Sequence, residues 1–86
     1  MTDNDRLIFK DRVQSLALSL LQNATVQATI TDDGVTLQIK FVGLGSDVLC
    51  VPGDMARRND ALLCVWLSIE VGYLLRDLCR EKYYQK

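Results

Sequence analysis

Between Ala24 and Phe41 apolar and polar residues alternate almost one for one, and the alternation breaks only at Asp32-Asp33-Gly34. Val26, Ala28 and Ile30 share one side of the first run, against Thr25, Gln27, Thr29 and Thr31 on the other. Val35, Leu37, Ile39 and Phe41 share one side of the second, against Thr36, Gln38 and Lys40. A period of two sends successive side chains to opposite faces of a strand. An Asp-Gly break between two such runs signals a hairpin, because glycine tolerates the positive φ of a tight turn. The chain is therefore committed to a hairpin with one apolar and one polar face, and other elements must cover the apolar one.

Those elements are readable on both sides. Phe9, Val13, Leu16 and Leu20, widened by Ala17 and Leu21, follow helical spacing with no Gly or Pro between them. This predicts a helix from about Asp5 to Gln22, capped by Asp3, Asn4 or Asp5. After the hairpin, Gly43-Leu44-Gly45-Ser46-Asp47 reads as a flexible loop whose Leu44 presents an apolar tip. Val48-Leu49-Cys50-Val51 predicts a short third strand, ended by Pro52-Gly53. A second helix is expected from about Met55 to Tyr83, capped by Asp54. The expected fold class is α+β, with the order α-β-β-(β)-α and a small antiparallel sheet packed against two helices. No linker divides the 86 residues, so residues 1–86 are expected to form a single domain.

Composition narrows the functional classes. Hydrophobic residues make up 49% and charged residues 24%, so the chain either has a dense core or carries more apolar surface than one core can hide. The formal charge is −1, but residues 1–54 hold four basic and seven acidic side chains, and residues 55–86 hold six and four. Neither half is charged enough to imply nucleic acid or a membrane. Cys50, Cys64 and Cys79 are odd in number and cannot form a closed disulfide set. The polar, acidic start does not read as a signal peptide, and reduced thiols suit a cytoplasmic location. Ala61 to Leu75, interrupted by Glu70, falls short of the ~20 residues of a membrane span.

Catalysis has little to work with. There is no histidine, which removes the usual general base and the commonest zinc ligand. Cys64 and Cys79 lie about 22 Å apart along one helix, so they cannot share an ion. Cys50 and Cys64 read as small core residues, and Cys79, close to Arg76 and Arg80, is the more reactive candidate, with packing as the leading reading of it. Gly43-Leu44-Gly45 lacks the remainder of any nucleotide fingerprint, and Asp32 and Asp33 belong to the turn. No catalytic residue, cofactor or metal is expected.

The element order is similar to that of double-stranded-RNA-binding domains, whose second helix opens with a lysine-rich cluster that grips phosphates. The corresponding stretch here, Met55 to Asp60, holds Arg57 and Arg58 flanked by Asp54 and Asp60, without an accompanying basic loop. The likeness stops at element order. A nucleic-acid-binding regulator using Arg57, Arg58, Arg76, Arg80 and Lys82 is the alternative reading of the chain.

The second helix carries the leading one. Leu63, Leu67, Val71, Leu74 and Leu78 form an apolar arc with Cys64 and Leu75, opposed by Glu70, Asp77 and Glu81. Cys64, Ser68 and Gly72 extend the arc with small residues. A second apolar cluster, Leu62, Trp66, Ile69 and Tyr73, is edged by Arg76, Arg80 and Tyr84. Either the first helix covers that cluster as ordinary core, or it is a protein interface, where Trp, Tyr and Arg are enriched. The expected function is a non-enzymatic interaction module, a small regulator, adaptor or inhibitor that binds a larger protein and dimerises through this helix. A phage or mobile-element origin suits so compact a chain, and a small-molecule sensor with an apolar pocket is a third class.

Overall fold

The computed structural model describes residues 2–84, and the side chains of residues 2–82. The order is α1 (Asp3–Leu20), β1 (Ala24–Thr31), β2 (Gly34–Phe41), β3 (Gly45–Pro52), a short 3-10 turn (Gly53–Arg57) and α2 (Asp60–Tyr84). The three strands form an antiparallel meander in the order β1-β2-β3. Val26 pairs with Ile39 and Ala28 with Leu37, while Leu37 pairs in turn with Leu49 and Val35 with Val51. That register places every apolar residue of the alternating runs on one face. Val35, Leu37, Ile39, Phe41, Leu49 and Val51 are buried there by both helices, together with Phe9, Val13 and Ala17 of α1 and Leu63, Leu67, Val71 and Leu78 of α2. Helix α1 lies over β1 and β2, and α2 lies over β3 beside α1.

Several boundaries differ from the sequence expectation. Helix α1 begins at Asp3 because Thr2, not an aspartate, is its N-cap: Asp5 N–H donates to the Thr2 hydroxyl, and Thr2 N–H to the Asp5 carboxylate. This is a capping box with an aspartate in the return position. Strand β3 is longer than expected at both ends and takes in Gly45, Ser46 and Asp47 of the expected loop, which leaves a tight turn at Val42-Gly43-Leu44. Gly43 and Gly45 take φ of +80° and +121°, and Leu44 N–H donates to Phe41 O. Leu44 packs against the core, and its neighbour Val42, 78% exposed, is the apolar tip instead. The Lys82 ammonium donates to Gly43 O, tying the end of α2 to this turn.

At the opposite end of the sheet Gly34 takes φ of +155°, and a Cβ there would overlap Val51 O and lie 2.7 Å from Gly53 N. Only glycine lets the hairpin approach the end of β3 this closely. Gly53 N–H donates to Asp33 O at 2.7 Å, so the β1–β2 turn and the exit of β3 form one joint.

Helix α2 starts at Asp60 rather than Met55, and its cap is Asn59, whose side chain accepts from Leu62 N–H. Residues 53–57 form the 3-10 turn, and Arg12 of α1 clasps the chain between that turn and the helix. Its guanidinium donates to Ala56 O, to Arg58 O at 2.8 Å and to the Asp60 carboxylate at 2.8 and 3.0 Å. Asp60 is 69% exposed, so the ion pair itself is worth at most about 1 kcal/mol. The two carbonyls would otherwise end a turn without a partner. Arg12→Ala is expected to cost about 1–2 kcal/mol and Asp60→Asn well under 1 kcal/mol. Urea midpoints of the two variants check this, and equal losses would move the effect onto the ion pair.

Candidate functional interface

The position of the sheet fixes which meridian of α2 faces solvent. Leu63, Leu67, Val71 and Leu78 point into the core, and at 100° per residue Val65 and Ile69 fall on the opposite side of the helix. Neither the sheet nor α1 covers that side. Leu62 is 51% exposed, Val65 58%, Ile69 52% and Tyr73 56%. Their spacing of three, four and four residues keeps them on one line about 16 Å long.

Leu62, Ile69 and Tyr73 are exposed, so α1 does not cover them. Trp66 is half-buried and packs against the core, forming the shoulder of the stripe rather than its crest. Arg76 and Arg80 are exposed and continue the line toward the C-terminus. The side chain of Tyr84 lies outside the described residues. Val65 joins the stripe although the sequence pattern does not single it out. Glu70, expected opposite the core, is half-buried on the flank of α2, and the outermost position is apolar. A Cβ at Gly72 would meet nothing within 4 Å, so at that position no described part of the chain packs closely on α2.

Other surfaces offer less. The outer sheet face presents Thr25, Gln27, Thr29, Gln38 and Lys40 to solvent. Cys50 belongs to that face and is exposed, not a core residue, because Leu49 and Val51 take the inward positions of β3. Cys64 and Cys79 are half-buried, and all three thiols are free. A hollow of about 230 Å³ at the β1–β2 turn is lined by Arg6, Phe9, Asp32 and Asp33 among others, smaller than the usual ligand cleft. A wider, open groove of about 390 Å³ runs between α1 and the start of α2 past Ile8, Arg12, Leu16 and Asp60. The space between sheet and helices is filled by apolar side chains. Among the described residues, no three or more His, Cys, Asp or Glu side chains are grouped to hold a metal ion, and no helix is long and apolar enough to cross a membrane.

Compared with protein-family models, curated proteins and solved structures, the chain has no significant match to any of them.

Proposed function

We propose that this chain is a non-enzymatic protein-interaction module that docks through the outward stripe of α2. It acts by occupying a protein surface, as a small regulator, adaptor or inhibitor does, and the first occupant of the stripe is a second copy of itself. One observation carries the reading: Leu62, Val65, Ile69 and Tyr73 each leave half or more of their surface in solvent, on one line, directly opposite the core. A domain with a filled core gains nothing in its own stability from apolar side chains in that position. Such a patch, rimmed by polar residues, marks an association surface, and Tyr and Arg are residues on which binding energy concentrates.

The arginines do not favour nucleic acid. Arg57 and Arg58 precede α2 while Arg76, Arg80 and Lys82 sit near its far end, interspersed with Asp60, Asp77 and Glu81. Phosphate binding calls for a clustered basic footprint, and these side chains do not form one.

Trp66 is the single tryptophan and stands at the shoulder of the stripe, so its fluorescence reports on occupancy. On dilution its emission maximum is expected to move to longer wavelength as a second copy departs and water reaches the indole. In Tyr73→Glu the emission is expected to stay at the longer wavelength at every concentration. Concentration-independent, identical spectra for the two proteins would contradict self-association.

A further inference from the structure

We infer that the two copies pair antiparallel along α2, with Leu62 of one copy against the partner's Tyr73 and Trp66 against the partner's Ile69. The inference rests on the self-association reading above and adds occupant geometry and register to it.

Area supports a second copy as occupant. With aromatic side chains presenting about 150–250 Å² each and aliphatic ones somewhat less, the exposed fractions of the four residues leave roughly 400 Å² of apolar surface. A standard interface buries about 800 Å² per partner, a little more than half of it apolar. The stripe supplies close to that apolar share from one helix, and Arg76, Arg80 and the exposed part of Trp66 supply a polar rim. In a two-fold dimer the same patch serves both partners, so no second surface has to be found.

Charge selects the direction. In a parallel pair the two-fold axis runs along the helices and sets each residue of the seam against its own copy. Arg76 would then face Arg76 and Arg80 face Arg80, both on the line of the stripe, and like-charge pairs at an interface are costly. In an antiparallel pair the axis crosses the seam at its midpoint, between Leu67 and Ser68, and only apolar residues of the stripe lie near it. Arg76 and Arg80 then lie at opposite ends of the seam from their own copies, beyond the partner's Leu62, and no arginine of the stripe faces itself. The helix dipoles also oppose one another.

Disulfide trapping tests direction and register. In a Cys50→Ser background, which removes the exposed native thiol, Leu62→Cys and Tyr73→Cys are oxidised separately and as an equimolar mixture. Light scattering on the wild type is read alongside. The expected result is a wild-type dimer, no cross-link from either variant alone, and a cross-linked dimer from the mixture. A wild-type dimer in which each variant cross-links with itself would overturn the antiparallel direction while leaving self-association intact. A mixture that remains dimeric by light scattering at the concentration of the oxidation, yet forms no cross-link, would overturn the register. A monomeric wild type would remove the reading on which the inference stands.

Discussion

Leu67→Asp is expected to leave no cooperatively folded domain. Leu67 is fully buried midway along the inner face of α2, within a cluster that joins both helices to all three strands. Removing a buried leucine side chain costs about 2–5 kcal/mol. A carboxylate in its place has no partner, because none of the described buried residues is polar or charged, and it either stays ionised at a further cost or is protonated at one. A chain of this length has roughly 4–13 kcal/mol to lose. Circular dichroism should show no thermal transition under conditions where the wild type melts cooperatively. A cooperative melt within a few degrees of wild type would mean that α2 is not docked on the sheet by this face.

Tyr73→Glu sits six residues along the same helix and is expected to do the reverse. Tyr73 is 56% exposed, so the substitution removes little core contact, and the helix keeps its Asn59 cap and its inner face. What it removes is association. Losing a hot-spot aromatic costs about 2 kcal/mol or more of binding, roughly a thirtyfold weakening, and a charge forced into the desolvated seam adds to that. Self-association also raises apparent stability by mass action. The Tyr73→Glu melting temperature should therefore match that of wild type at high dilution and show no dependence on protein concentration.

The contrast between these two residues shows what the sequence made legible. Period-two alternation around Asp32-Asp33-Gly34 specifies the hairpin and its register, because a slip of one residue would turn every apolar side chain to solvent. The inner arc of α2 is equally clear from Leu63, Leu67, Val71 and Leu78. The misplaced features depend on partners distant in sequence. Arg12 clasps carbonyls more than forty residues away, and nothing local to Met55–Asn59 announces that a 3-10 turn stands where a helix is expected. Leu44 is drawn inward although two glycines flank it, which leaves Val42 exposed. The candidate interface is legible as a cluster but not as a meridian. Leu62, Ile69 and Tyr73 stand out in the sequence, while Trp66 lies deeper than its spacing suggests and Val65 escapes notice. Only the position of the sheet beneath α2 decides which side of the helix is outermost.

Light scattering across a concentration series, on wild type and Tyr73→Glu, tests the central claim most directly. The account predicts that wild type rises toward twice the 9.7 kDa of the chain as concentration increases, while Tyr73→Glu stays at the monomer mass with a cooperative melt. A wild type that remains at 9.7 kDa throughout, or a Tyr73→Glu variant that dimerises as well as wild type, would contradict it.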